Sequence, residues 1–192
     1  CIRDSAYGNT VSDDLWKAVE TAAGKPITAI AHDFTLQPGV PLIRVEGGAC
    51  QAGKQVLTLT QGEFSKDFPD KKPLAWRVPV VAKALDGASV AKTVVEGGKG
   101  SLTVEGCGPV VVNAGQTGYY RTLYAPAQFK ALAGSFGKLA PIDQLGLLSD
   151  AWSMGTAGQQ SPTDALDLIA ATPADADPQV LSKIVSVMEA ID

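Results

Sequence analysis

The residues able to do chemistry are few, and their spacing excludes most reactions. His32 is the only histidine in 192 residues. A histidine-based zinc site needs several ligands, commonly paired as HExxH on one helix, and this chain cannot supply them. Among Ile30, Ala31 and Phe34, His32 reads as a packed or surface histidine. The three cysteines, Cys1, Cys50 and Cys107, form no CxxC pair, so neither a zinc knuckle nor a thioredoxin-type motif is available. A Ser–His–Asp or Cys–His arrangement would have to use His32, and no GxSxG elbow is present. Gly134-Ser135-Phe136-Gly137 reads as a helix-ending turn, and Cys107, between two glycines, has no basic neighbour to lower its pKa. The carboxylate groupings Asp13-Asp14, Asp164 with Asp167, and Asp175 with Asp177 fall at helix starts and linkers, where capping explains them. Gly97-Gly98-Lys99-Gly100 lacks the GxxxxGK[ST] pattern of a phosphate loop and reads as a hairpin tip. Tyr119, Tyr120 and Tyr124 could form a stacking platform, but sandwich-core and interdomain packing account for them without a ligand. Strand alternation puts Tyr120 and Tyr124 on one face and Tyr119 with Arg121 on the other. No catalytic, cofactor-binding or metal-ligating residue emerges.

Charge and hydropathy narrow the partners. The 16 basic and 20 acidic residues are scattered, with a net charge of −4, and the longest basic cluster is Lys71-Lys72. A nucleic-acid partner would need a concentrated basic face. No apolar stretch approaches the roughly 20 residues that cross a bilayer. Cys1 admits two readings, a lipidated mature N-terminus or an arbitrary starting point. The second is preferred, because a helix-like segment follows almost at once instead of a flexible polar tether. Cys50 and Cys107 both lie in Gly-rich turns. They are either a disulfide at one end of a sandwich, implying an exported protein, or two free thiols.

The elements that must hold these residues fall into three zones, in a chain with 45% hydrophobic residues. Residues 1–39 read as helical. Ser12 is the expected N-cap, Leu15, Trp16 and Val19 form an apolar stripe, and Gly24 is the C-cap. Pro26 then opens a second helix through Ile30 and Phe34, and Pro38-Gly39 ends the zone. Residues 40–125 change period. Seven short β-branched runs (42–45, 56–61, 76–82, 90–95, 101–105, 110–113 and 118–124) alternate with Gly- and Asp-rich breaks. An antiparallel β-sandwich is expected, with no parallel βαβ units, and Pro79 should lie in an edge strand or a bulge. Residues 126–192 return to helical spacing, with Pro126, Pro141, Pro162 and Pro178 at first-turn positions and Ser161 and Asp177 as N-caps. The last helix is expected to bury Val180, Ile184, Val187, Met188 and Ile191 on one face. That face runs to Asp192 without a C-cap, which reads as a truncated helical array. The fold class is thus mixed α and β: N-terminal helices, a sandwich of about seven strands, then helical hairpins that begin an α-solenoid-like part.

Several motifs together resemble the M1 zinc aminopeptidases. Asp13-Asp14-Leu15-Trp16, Gly24-Lys25-Pro26 and Phe34-Thr35-Leu36-Gln37-Pro38-Gly39-Val40-Pro41 are similar to the end of that family's catalytic domain. Leu57 through Phe64 is similar to its Leu-x-Gln-x-x-Phe strand, and Trp76-Arg77-Val78-Pro79-Val80 to its Trp-x-(Ile/Val)-Pro strand. The run from Asn113 through Gly118-Tyr119-Tyr120-Arg121 to Tyr124 matches its Asn-x-x-x-x-Gly-Tyr-Tyr-Arg-x-x-Tyr segment. Leu147-Leu148-Ser149-Asp150-Ala151-Trp152 is similar to the start of its helical domain, although Ile142-Asp143-Gln144 stands where an Arg is expected.

The resemblance implies catalytic-domain helices over 1–39, a β-sandwich domain over 40–125 and the beginning of a C-terminal helical domain over 126–192. The family's HExxH motif, its distant Glu ligand, its Gly-x-Met-Glu-Asn loop and its catalytic Tyr have no counterpart here, and Val187-Met188-Glu189-Ala190 is not that loop. The implied role is therefore a non-catalytic interdomain fragment of a parent that uses zinc to remove N-terminal residues from peptides. Its partners would be the upstream catalytic domain and the remaining helical domain of the same chain, with peptides met only through the parent. Leu15, Trp16, Phe34, Gln37, Tyr119, Tyr120 and Arg121 are the expected interdomain packing residues, and the exposed interfaces would favour self-association. The alternative is a free-standing β-sandwich binding or adhesion module.

Overall fold

The computed structural model describes residues 8–68 and 71–191. Cys1, and with it the question of a lipidated start, lies outside them. The order of elements is two helices, seven strands, then four helices. Helices α1 (Ser12–Ala23) and α2 (Ile27–Thr35) come first. The strands are β1 (Val40–Gly47), β2 (Lys54–Phe64), β3 (Val78–Ala84), β4 (Ala91–Val95), β5 (Lys99–Glu105), β6 (Val110–Val112) and β7 (Arg121–Tyr124). Helices α3 (Pro126–Ala133), α4 (Pro141–Thr156), α5 (Thr163–Ala170) and α6 (Pro178–Glu189) follow, with a 3-10 turn at Phe136–Lys138. Among the described residues no helix is long and apolar enough to cross a membrane.

The α1 start differs from the expected Ser12 cap. Val11 holds the cap position, and the Asp14 carboxylate accepts its N–H at 3.0 Å. A carboxylate one turn in answers an orphan donor and also favours the positive end of the helix dipole, so the hydroxyl is not needed. Gly24 closes α1 as expected, with φ +61° and its N–H donated to Glu20 O at 2.9 Å. Two side chains then fasten α1 to α2: Glu20 accepts the Thr28 N–H at 2.8 Å, and His32 Nε2 meets Asp13 Oδ1 at 2.7 Å.

The strands form two sheets, ordered β5-β2-β1-β7 and β4-β3-β6. Leu57, Leu59 and Gln61 are buried while Val56 is 48% exposed, as the alternation in β2 requires. Inward residues of both sheets share one core, with Ile43, Val45 and Leu59 meeting Val78, Val80 and Val95.

Three strand expectations need correction. β7 runs parallel to β1, pairing Leu42 with Arg121 and Val45 with Tyr124. The chain reaches that position by crossing through the other sheet, so no βαβ helix is needed. The Gly97-Gly98 turn (φ +64° and +83°) does reverse the chain, and Glu96 bridges Lys99 across it. Its two flanking strands, however, belong to different sheets, so it is a corner rather than a simple hairpin. Pro79 lies in β3, the central strand of its sheet. β6 pairs only with Ala82–Ala84, so the stretch carrying Pro79 is flanked on one side alone and behaves locally as an edge.

Proline sets the helix starts in the last third. Pro126, Pro141 and Pro178 occupy the first turn, and Asp177 Oδ1 accepts the Gln179 N–H at 2.8 Å. In α5 the cap position is Pro162 itself, and Ser161 Oγ accepts the Thr163 N–H at 3.3 Å. α3 and α4 add Phe129, Leu132, Leu147, Leu148 and Ala151 to the core, and α5 adds Ala165 and Leu168. The expected buried face of α6 is only partly so. Val180 and Val187 are buried, but Met188 and Ile191 are 50% and 53% exposed. α6 packs on α4 along one side, and its apolar stripe is wider than that contact. The helix ends at Glu189, capped by Ala190, whose N–H reaches Val187 O at 3.2 Å.

At one end of the strand layer Cys50 and Cys107 are joined in a disulfide, with Cα atoms 5.4 Å apart. Asp86 braces the same corner by accepting the N–H groups of Cys107 at 3.0 Å and Gly108 at 2.8 Å. Those two donors hold its carboxyl below the ordinary value. The bridge spans 57 residues of sequence, and closing a loop of that size stabilises by about 4 kcal/mol on the chain-entropy account. Replacing Cys50 and Cys107 together by serine is therefore expected to lower the unfolding free energy by about that amount in urea titrations. Equal stability of the bridged chain and the serine variant would contradict the restraint.

Candidate functional site

Polar side chains that reach main-chain groups cluster at two places. The first is the segment 74–77 leading into β3. Gln61, on the inward face of β2, donates to Leu74 O at 2.9 Å and accepts the Trp76 N–H at 3.2 Å. Glu63 accepts the Leu74 N–H at 2.9 Å and takes Lys71 Nζ at 2.8 Å. Burial pushes the Glu63 carboxyl up, but these two donors outweigh it and leave the group below its usual value. Just beyond α2, Gln37 Nε2 donates to Ala75 O at 2.8 Å, and from α2 Asp33 Oδ2 accepts the Arg77 N–H at 2.7 Å. Arg77 Nη1 lies 3.0 Å from both Asp33 oxygens, and Nε donates to Glu96 Oε1 at 3.0 Å. One short segment thus ties α2 to both sheets. Gly39 allows the approach: its φ is +105°, and a Cβ there would meet Glu63 Oε1 at 2.7 Å. Phe34 completes the contact edge-on to Tyr119, with ring centroids 6.5 Å apart.

The second cluster joins the loop 113–118 and β7 to α4. Asn113 is buried with φ +62°. Its Oδ1 accepts the Gly118 N–H at 2.8 Å and its Nδ2 donates to Gly118 O at 3.0 Å, which pins the loop. The loop sits on α4 through the Gly115 N–H, accepted by Asp143 Oδ1 at 2.7 Å, and through Gln116, whose side chain lies where a Cβ on Gly146 would be. Asp150, 8% exposed on α4, accepts Arg121 Nη1 at 3.0 Å and the Thr122 N–H at 2.9 Å. Arg121 also covers the Phe64 ring, 5.7 Å from its centroid. Below, Tyr124 Oη accepts the Val112 N–H at 2.8 Å and donates back to Val112 O at 3.3 Å. Burial pushes the Asp150 carboxyl up to about 6 despite the Arg121 and Thr122 donors, and burial likewise raises Asp143.

Each expected packing residue can be placed against these clusters. Phe34 and Tyr119 meet each other, and Gln37 and Arg121 are tethered as described. Tyr120 is buried in the core while Tyr119 is 67% exposed. Leu15 is 51% exposed, Trp16 is half-buried, and α1 buries no side chain completely. Cys50 and Cys107 lie apart from both clusters, at the disulfide corner.

Asp33, Gln61, Asp143 and Asp150 were not singled out from the sequence as site residues, yet signals existed. Asp33 and Gln37 flank Phe34 at the end of α2. Asp150 falls in the register Leu147, Asp150, Ala151, Met154, which is the buried stripe of α4. A charge on such a stripe requires a partner.

His32 is engaged with Asp13, and among the described residues no group of three or more His, Cys, Asp or Glu side chains could hold a metal.

Residues 109–192 match the family described as ERAP1-like C-terminal domain. The chain is also similar to curated proteins of which most are named aminopeptidases. It is 29% identical over 185 residues to the Tricorn protease-interacting factor F2 of Thermoplasma acidophilum, covering 96% of this chain and 22% of that protein. It is 29% identical over 212 residues to Aminopeptidase M1 of Arabidopsis thaliana, covering 97% and 22%. With the Puromycin-sensitive aminopeptidase of Caenorhabditis elegans it shares 28% identity over 163 residues, covering 81% and 17%. The chain thus spans about a fifth of the length of these curated relatives.

Asp150 gives the second cluster a pH signature. Its native value of about 6 exceeds the ordinary 3.8, so the folded state binds the proton more tightly. The contribution to stability is full below pH 4 or so and is lost as pH rises through about 6, on the order of 3 kcal/mol. Asp150→Asn should flatten the stability–pH profile between those limits. A profile of unchanged slope would contradict the assignment.

Proposed function

We propose that this chain is a non-catalytic connector of an M1-type metallo-aminopeptidase. In this reading residues 1–39 are the last helices of the catalytic domain, residues 40–125 a β-sandwich domain, and residues 126–192 the first helical hairpins of an α-solenoid-like C-terminal domain. The parent would use zinc to activate water and release N-terminal residues from peptides, with the metal and the chemistry held by parts of the protein outside this chain. The connector's work is to fix the relative placement of its neighbours, which governs access and closure rather than bond-breaking.

The observation that carries this reading is what the motif residues do. Gln37, Gln61, Arg77 and Arg121 come from the segments that resemble the family, and each is engaged in holding one segment to another, while Asn113 pins the loop before β7. Phe34 and Tyr119 add ring packing between α2 and the loop before β7. The apolar side chains Leu181, Val185 and Met188 on α6, each 41–54% exposed, support a helical layer that continues. The remaining helical domain and the catalytic domain of the same parent are the partners this reading assigns, and self-association of the isolated chain would follow from the same surfaces. The second reading, a free-standing binding module, would use the exposed Tyr119 ring.

The test pairs metal content with activity. The 192-residue chain should carry no stoichiometric zinc and release no N-terminal residue from peptides, whereas the chain extended upstream through a complete catalytic domain should do both. Peptide trimming by the 192-residue chain alone would overturn the connector role. A strictly monomeric chain with specific glycan affinity would favour the binding module instead.

A further inference from the structure

A small cavity lies beneath the Arg121–Asp150 contact, bounded by Val112, Gln116, Thr122, Asp143, Leu147 and Asp150 among others. About 10 Å³ of it is open to the centres of water-sized spheres, which is the room one water molecule needs. Thr122 is 3% exposed, and its Oγ1 has no hydrogen-bond partner within the protein. A hydroxyl buried without a partner forfeits its hydration, so such groups are almost always satisfied by protein or by ordered water. Its neighbours offer acceptors. Asp150 Oδ1 and Oδ2 each take one donor, from Arg121 and from the Thr122 N–H, and each carboxylate oxygen accepts two. Asp143 Oδ1 takes the Gly115 N–H, and the second oxygen of that carboxylate adds further capacity. Tyr124, which also lines the space, is already satisfied in both directions by Val112.

We propose that this cavity is a binding site for one ordered water molecule, which accepts the Thr122 hydroxyl proton and donates to the carboxylates of Asp150 and Asp143. The water makes three hydrogen bonds and closes a bridge from β7 to α4 that the protein atoms leave incomplete. Competing occupants fit the chemistry less well. An anion would face two carboxylates. A cation would have two carboxylates, one of them paired with Arg121, and no group of three or more His, Cys, Asp or Glu side chains that could hold a metal occurs among the described residues.

A crystal structure of this chain, at a resolution where waters are placed individually, tests the site. The expected result is one density peak within hydrogen-bond distance of Thr122 Oγ1 and of at least one carboxylate oxygen of Asp150 or Asp143. The peak should persist in Thr122→Ser and disappear in Thr122→Val, which removes the hydroxyl at nearly constant volume. The wild-type density decides the matter by itself if the valine variant does not fold. The proposal is overturned by a Thr122 hydroxyl bonded directly to a protein acceptor with no peak beside it. A peak that survives Thr122→Val undiminished, or one with the short oxygen distances of a metal ion, overturns it equally.

Discussion

A carboxylate on the buried stripe of α4 accepts a guanidinium and a main-chain N–H from β7, and the helical third of the chain takes its position from that contact. β7 is the outer strand of its sheet and only four residues long. An unpaired N–H at such an edge, covered by a helix, needs an acceptor that the ladder cannot provide. Asp150 provides it to Thr122 and is neutralised in part by Arg121. Removing one partner of such a pair leaves a buried charge without compensation.

The same logic operates in the first cluster. There the segment 74–77 has no ladder of its own, and its backbone groups are answered by Gln37, Asp33, Gln61 and Glu63. Side chains from α2 and β2 therefore do for an irregular segment what strand pairing does elsewhere. In both clusters most polar side chains answer the main chain or one another, Thr122 Oγ1 being an exception.

Local chemistry made much of the fold legible in advance. Alternation in Val56–Gln61 fixed which face of β2 is buried, and proline located the starts of α3, α4 and α6 to the residue. Relations between distant segments were not legible. The parallel pairing of residues 42–45 with 121–124 depends on a crossover through the second sheet, which no local pattern encodes. The Gly97-Gly98 turn shows the limit in miniature, since two glycines with positive φ announce a reversal but not the sheet that the next strand joins. For the candidate site, the residues carrying the family resemblance were visible as motifs, while their partners Asp33 and Asp143 were not, because each acts across a gap of 28 residues or more. Asp150 lay within a recognised motif, but its role depended on Arg121 and Thr122 reaching it from another element.

Native-state hydrogen exchange tests most directly whether the strand layer and the helices behave as one mechanical unit. The account predicts that the Thr122 and Tyr124 amides of β7 and the amides of α4 from Leu147 to Ala151 exchange through a common opening, with the same free energy and the same denaturant dependence. Exchange of the α4 amides through a separate, lower-energy opening while β7 stays protected would show that Asp150 does not couple the two, and would contradict it.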